Sequence, residues 1–597
     1  MLARSWWALI CFFLSLSLPG AAQTGRTAAA KPTAAAASPA TGPVQRLVRG
    51  LSLRQKVAQL VMVPFYGEAP NSRSRAGREF QKLVRQTGVG GLILVNRIQG
   101  GIKRAEPFAM ASFLNRMQRV ARVPLIVGGD FERGASMRVA ETVKYPHAMA
   151  YGAAGELDAT KRLGAATARE ARAVGVHWIF APSADVNNNP DNPIINIRSF
   201  GEDPKQVAEH VAAFITGVHS VSPHRALATV KHFPGHGDTA VDSHMNLPRL
   251  DFPRERLDAV ELVPFKAAVA AGVDAVMTAH IAVPALSGEG SPATLSGPAL
   301  SGVLRKDLGF QGLIVTDAMD MQGLSKQVPP GEAAVRAIEA GVDVLLMPPK
   351  PEEAIDAIVR AVKSRRLTAQ RIDESLRRVL LAKSRLGLFR DRRVDVEDIS
   401  ETLDSEEAAA DAQAVARRAV TLLKNEGGVL PLAKPESACY YVLTESRYGT
   451  QGRIAEEEFL RRAPKDRVFH LDPADRAVEL REAAEKMQNC SAGVVVAFVT
   501  TGANRGDVLL PGEFPSMVER VVSSGKPVAI VAMGSPYTLR AYPKAQAAVA
   551  TFTTVESSEA AAVQALFGEI PFQGRSPVTI PGVSRLGDGI QLRGPSR

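Results

Sequence analysis

Between about residues 51 and 388, short apolar runs alternate with longer amphipathic ones eight times over, which restricts the chain to parallel-sheet architectures. The apolar runs fall at 57–64, 91–95, 124–128, 177–182, 226–230, 275–278, 312–316 and 342–347. Helical periodicity occupies 107–119, 153–174, 204–221 and 254–271 between them. Eight strands close a (β/α)8 barrel, and an open doubly wound sheet is the alternative.

The positions of reactive residues favour the barrel. Asp130, Glu132 and Arg138 follow the third run in GGDFERGASMR, and Asp185, Asn187 and Arg198 follow the fourth. A histidine-rich loop follows the fifth, His280 the sixth, and Asp317 with Asp320 the seventh. Barrel enzymes assemble their sites from strand C-terminal ends, so a closed barrel brings all of these to one mouth. An open sheet scatters most of them along an edge.

The loop after the fifth run, KHFPGHGDTAVDSHMNLP at 231–248, permits two chemistries. His232, His236, Asp238, Asp242 and His244 are ligand types that suit zinc. Paired histidine ligands, however, generally sit on rigid helices or strands, whereas Pro234, Gly235 and Gly237 make this a loop. The other chemistry is acid/base: Asp242 orients His244 two residues on and favours its protonated form. A solvated polar loop is the plainest alternative. Asp317, directly after the apolar run of GLIVTDAMDM, is placed to emerge at the mouth as an anion, or else to cap a helix. Asp320 reads as a first-turn charge complementing a helix dipole. An anion at Asp317 and a proton donor at His244 are the two tools of retaining glycoside hydrolysis, with histidine in place of the second carboxylate. Asp130, Arg138, Arg198, Lys231 and His232 offer donors and acceptors for sugar hydroxyls. For the arginines, a salt bridge is an equal alternative to a ligand contact.

The start of the chain has Arg4, an apolar run from Trp6 to about Leu18, then Pro19 and small residues, the pattern of a secretory signal peptide over 1–22. An uncleaved anchor is the alternative. An Ala/Pro/Thr-rich tether is expected over 23–44, the barrel over 45–393, a linker over 394–410 and a second α/β domain over 411–597. Runs at 438–443, 492–498 and 528–533 supply that domain's strands and suggest an α/β sandwich. After signal removal only Cys439 and Cys490 remain, as suits an exported, periplasmic or secreted protein without stable membrane insertion. The 72 basic and 61 acidic residues are scattered without a basic cluster, so no nucleic-acid partner is expected.

At these residues the chain resembles the β-N-acetylglucosaminidases of glycoside hydrolase family 3, bacterial exo-enzymes that act on peptidoglycan fragments. KHFPGHGDTAVDSH is similar to that subgroup's signature, and AVTLLKNEGGVLPL, KPVAIVAMGSPYTL and LFGEIPFQGRSPVTIP resemble the family's second domain. The resemblance implies that Asp317 is the nucleophile, that Asp242 and His244 form the acid/base pair, and that Asp130, Arg138, Arg198, Lys231 and His232 contact substrate. It implies a small GlcNAc-containing glycan or muropeptide as substrate, no cofactor, no metal, and no catalytic residue from the second domain. The chain departs from the family in two places: DFERGA at 130–135 replaces the usual DQEGGR, and Ser576 replaces a leucine. Rival readings are a β-glucosidase or β-xylosidase on the same fold, a phosphorylase, and a non-catalytic glycan-binding protein.

Overall fold

The computed structural model describes residues 41–98, 102–222, 225–288, 290–502 and 507–594. The expected signal peptide and all but the end of the expected tether lie outside the described residues. The tether's last positions, 41–44, instead begin a helix, Thr41–Gly50. The reason is a short apolar stripe: Val44 and Val48 are buried against the barrel.

The eight runs form eight parallel strands: β1 Val61–Phe65, β2 Gly91–Leu94, β3 Ile126–Gly129, β4 Trp178–Ile179, β5 Leu227–Phe233, β6 Ala275–Thr278, β7 Leu313–Thr316 and β8 Leu345–Leu346. They pair in the order β8-β1-β2-β3-β4-β5-β6-β7. A parallel bridge between Val315 and Val344 brings the ends together, with Thr316 N–H donating to Val344 O at 3.1 Å. The closed form prevails over the open sheet. Apolar residues on both strand faces are sequestered between the barrel interior and the helices, as parallel sheets require. One boundary differs from expectation: Val57 and Ala58 belong to the helix Leu53–Ala58. Ser52 and Gln55 form a capping box there, which starts a helix where the apolar run alone suggested a strand.

Charged groups pin the bottom of the barrel. Asp343, fully buried, accepts from Arg305 at 2.6 Å, Arg378 at 3.0 Å and the Ile314 N–H at 3.0 Å. Lys383, on the helix Ala369–Arg385, donates to Gln59 Oε1 at 2.7 Å and Gly90 O at 2.8 Å. Burial pushes its ammonium down to about 7.

The second domain is a six-stranded sheet of β9 Thr421–Asn425, β10 Cys439–Leu443, β11 Val468–Leu471, β12 Gly493–Val499, β13 Val528–Gly534 and β14 Ala547–Ala550. Its order is β9-β14-β13-β12-β10-β11, parallel except for the β9 edge. The helix Glu406–Ala419 runs through Asp411, where the sequence placed the domain division, and touches helices of both domains. Cys439 and Cys490 are disulfide-bonded. Ser576 is buried and donates from Oγ to Val578 O at 2.6 Å, so the polar replacement is satisfied locally. One hydrophobic core runs continuously from the barrel onto one face of the second sheet.

Candidate active site at the barrel mouth

The residues named from the sequence converge at the C-terminal ends of β3 to β7. The loop after β3 brings Asp130 and Arg138 together, Arg138 donating to Asp130 Oδ2 at 2.7 Å. Lys231, buried near the end of β5, donates to Asp130 Oδ1 at 2.9 Å and lies 2.7 Å from Glu132 Oε1. Arg198 holds Glu132 through two nitrogens, at 3.0 and 2.7 Å. Burial works against ionising both carboxyls. The charges of Lys231 and Arg138 on Asp130, and of Arg198 and Lys231 on Glu132, more than offset it, and hold both well below the usual range. Each arginine therefore makes a salt bridge, yet Arg138 Nε is buried without a protein partner among the described residues. The cluster is a preorganised set of donors and acceptors of the kind that reads hydroxyl groups.

The departures from the family pattern have local explanations. Phe131 is buried beneath this loop. The Ala135 N–H donates to Glu170 Oε2 at 3.0 Å, with Tyr145 OH on the other oxygen. Burial pushes Glu170 up to about 7 in spite of those two bonds.

His232 is fixed by Asp185. Its backbone N–H donates to Oδ1 at 3.1 Å and its Nδ1 lies 2.8 Å from Oδ2, which turns Nε2 towards the mouth. The same carboxylate accepts the His236 N–H at 2.7 Å. Asn192 donates to the carbonyls of His236 and Gly237, both at 2.9 Å, tying the loop after β4 to the loop after β5. Gly237 is required there: a Cβ would lie 1.8 Å from Val186 O.

The loop carrying Asp242 and His244 is folded down over the mouth. Asp242, almost wholly buried, accepts both the backbone N–H of His244 and contact from its Nδ1, each at 2.8 Å. Only Nε2 of His244 is left for other work, on a ring that is 32% exposed. Ser243, between them, is anchored twice. Its carbonyl accepts the Gly323 N–H at 3.1 Å, and its Oγ lies 2.9 Å from His236 Nε2. At Gly323 a Cβ would meet that carbonyl at 2.7 Å. The Thr239 hydroxyl is spent on His236 O, so His236 Nδ1 must donate to Thr239 and Nε2 must accept from Ser243. Burial, with His232 beside it, pushes His236 down to about 4 and keeps this ring neutral. The three histidines thus hold three different partners. Among the described residues no His/Cys/Asp/Glu group is spaced to hold a metal ion.

Asp317 follows β7, its N–H donating to Thr278 O at 3.2 Å and its Oδ1 accepting the Ala318 N–H at 2.7 Å. Burial raises this carboxyl, but His232, His280 and His244 together pull it below the ordinary value. An anion surrounded by imidazoles has its charge held in place. Asp320 precedes the single-turn helix Gln322–Ser325, and burial together with the Asp317 charge raises its carboxyl.

Glu132, Asp185 and His280 take part in this network without having been assigned a role from the sequence. Their signal was position, each standing just beyond a strand end. The second domain also reaches the site. Tyr537 OH accepts from Asn187 at 2.9 Å, and Ser535 Oγ accepts from Asn196 at 3.2 Å, two residues before Arg198. Thr553 Oγ1 lies 2.8 Å from Nδ1 of His147.

Residues 52–382 match the Glycosyl hydrolase family 3 N terminal domain, and residues 420–588 the Glycosyl hydrolase family 3 C-terminal domain. The chain belongs to glycoside hydrolase family 3. A β-N-acetylglucosaminidase/β-glucosidase of Cellulomonas fimi is 31% identical over 491 residues, covering 78% of this chain and 86% of that one. β-Hexosaminidase A of Pseudoalteromonas piscicida is 31% identical over 437 residues, covering 66% and 71%. Among solved structures, a family 3 β-N-acetylglucosaminidase of Paenibacillus sp. str. FPU-7 superposes with a TM-score of 0.78 at 32% identity, covering 89% of this chain and 99% of that one. A β-glucoside phosphorylase shares the fold at 23% identity, with a TM-score of 0.80. The family 3 barrel and its second sheet domain therefore form in this chain as the sequence pattern implied.

Proposed function

We propose that this family 3 enzyme is a retaining exo-β-N-acetylglucosaminidase that removes terminal non-reducing β-linked GlcNAc from peptidoglycan fragments or chitooligosaccharides. One observation carries the reading: the Asp242–His244 pair is docked against the loop that bears Asp317, with the Gly323 N–H bonded to Ser243 O at 3.1 Å. In the first step an Asp317 oxygen attacks the anomeric carbon while Nε2–H of His244 gives its proton to the departing oxygen. Asp242 stabilises the ring in both charge states and fixes Nδ1 as the donor towards it. In the second step neutral Nε2 takes a proton from water, whose oxygen attacks the anomeric carbon, and the Asp317 ester bond breaks. The half-buried cluster of Asp130, Glu132, Arg138 and Arg198 around the buried Lys231 closes one side of the mouth, which suits the end of a glycan chain over its middle.

A role in cell-wall turnover outside the cytoplasm accords with the leader expected at 1–22. The decisive assay incubates purified protein with chitobiose and with a peptidoglycan digest and follows product anomers by NMR. β-GlcNAc appearing first supports the proposal, and α-GlcNAc appearing first refutes the double displacement. Accumulation of sugar 1-phosphate in phosphate buffer would instead make the enzyme a phosphorylase, since a histidine acid repels phosphate less than a glutamate would. Preference for glucosides or xylosides over GlcNAc glycosides would overturn the glycone assignment. N-terminal sequencing of the exported protein tests the leader.

A further inference from the structure

Where the loop after β3 meets the second domain, the cations outnumber the acids that could hold them. The Ala105 N–H donates to Arg138 O and the Ala140 N–H to Ala105 O, both at 2.8 Å, so Ala105 stands opposite Val139 in a parallel bridge. Ala105 and Val139 are both buried. Side chains alternate along extended backbone, so Arg104 and Arg138, each one position earlier, stand side by side on the other face, their backbones about 4.8 Å apart. Arg138 turns to Asp130 at 2.7 Å. Arg104 has no acid to turn to, and its Nε is buried without a partner, as is that of Arg138.

Arg133 is a second guanidinium in the same condition. It belongs to DFERGA, where this chain departs from the family pattern, and sits at the tip of the turn bridged by Glu132 and Gly134. Among the described residues neither the Arg104 nor the Arg133 side chain donates a hydrogen bond or pairs with an acid. The acids nearby are already taken: Asp130 by Arg138 and Lys231, Glu132 by Arg198 and Lys231, and Glu556 of the second domain by Lys144. Burial pushes the Arg133 guanidinium down to about 10, and the charge of Arg104 pushes the same way. Burial, and then the Arg133 charge, hold His147 well below its ordinary value, next to Thr553 of the second domain. Two half-buried like charges thus gather at the join of the domains with no protein counter-charge of their own. That arrangement is unfavourable alone and is relieved when an anion bridges the pair. Two planar forks of N–H donors match the oxygens of a tetrahedral oxyanion.

We infer that Arg104 and Arg133 form an oxyanion site beside the non-reducing end of the sugar pocket, taking a sulfate or phosphate group that is either an ester on the terminal sugar or a free ion. The ester form rests on the proposed function, which sets the terminal sugar against Asp130 and Arg138 and so beside Arg104.

The test uses inorganic sulfate, which takes no part in glycosyl transfer. At low ionic strength wild type should bind it saturably by calorimetry and gain in Tm. Arg104→Gln and Arg133→Gln should each weaken the binding about tenfold or more and lose the gain in Tm. Each variant removes a charge that nothing in the protein balances, so its Tm without sulfate should match or exceed that of wild type. No saturable binding by wild type, or binding that survives unweakened in either variant, would overturn the site. The source of the group is read from kcat/KM on nitrophenyl β-N-acetylglucosaminide and its mono-O-sulfated forms. An ester on the terminal sugar predicts that wild type's use of one sulfated form relative to the unsulfated glycoside falls about fivefold or more in both variants. Unchanged ratios for every sulfated form, with sulfate binding lost, assign the site to a free ion. Sulfate binding needs no turnover, so its failure leaves the proposed function standing. Failure of wild type to cleave the unsulfated glycoside would overturn that function and leave the sulfate result to judge the site.

Discussion

Replacing Ser243 by alanine removes one hydroxyl and leaves Asp242, His244 and Asp317 untouched. That hydroxyl donates to Nε2 of His236 at 2.9 Å, and the ring is buried and neutral, so the variant leaves a nitrogen acceptor with no donor inside the protein. A lost neutral hydrogen bond costs about 1 kcal/mol, and a buried group left unsatisfied costs roughly 1–3 kcal/mol. Taking about 2 kcal/mol, the ratio of docked to released loop falls roughly thirtyfold, because about 1.4 kcal/mol is tenfold. The backbone bond from Gly323 to Ser243 O survives, so the loop still docks part of the time. The assay is kcat/KM, which reports glycosylation, on chitobiose and on a dinitrophenyl β-N-acetylglucosaminide. Chitobiose, whose leaving alkoxide needs the His244 proton, should lose between about threefold and thirtyfold. The dinitrophenyl glycoside, whose leaving group departs unaided, should change less than about twofold, and Ser243→Thr should restore chitobiose turnover. Equal losses on both substrates would refute the idea that Ser243 acts by holding His244 in place.

Asp317→Ala should fold with an unchanged circular dichroism spectrum and lose turnover to background, because no other carboxylate at the mouth can form the glycosyl ester; retained activity would remove Asp317 from the mechanism. His244→Ala should lose about 10²–10⁴-fold on chitobiose, less on the dinitrophenyl glycoside, and accumulate an Asp317 adduct visible by mass spectrometry that azide clears; no adduct and no azide effect would reduce His244 to a binding group. For Lys383 the folded value near 7 lies below the ordinary lysine value, so the unfolded chain binds more protons between the two and stability rises as pH climbs through that window. The Tm of wild type should therefore rise more from pH 7 to pH 9.5 than that of Lys383→Met, and identical slopes would mean that Lys383 is solvated.

The barrel was legible because eight apolar runs with reactive residues at their ends leave few topologies open, and seven of those runs begin within about three residues of the strand they mark, the fifth running on to Phe233. The first misled at its start, where Ser52 and Gln55 supply a helix cap that hydrophobicity alone does not register. The edge strand Thr421–Asn425 and the strands Val468–Leu471 and Ala547–Ala550 were not picked out. One is half-exposed, one runs antiparallel, and one is a short alanine-rich stretch without β-branched character apart from Val549. At the site, the sequence brought Asp242 and His244 together because they are two residues apart. It could not show that Glu132 joins Lys231 to Arg198, since that contact spans 66 residues and depends on closure of the barrel. Nor could it show which groups brace the arginine loop from behind, because Ser535 and Tyr537 are more than 300 positions away.

That brace makes the enzyme mechanically indivisible. Asn196, held at a positive φ of 43° and donating its N–H to Asn187 within the barrel, donates from Nδ2 to Ser535 on the far domain. A protease cut between the domains followed by their separation would strip Asn187, Asn196 and His147 of the partners that the second domain supplies and uncover the core that both domains share. The excised barrel would be a sticky, misaligned fragment, and heating should melt the two halves in a single cooperative step, the sugar pocket failing with the sheet behind it.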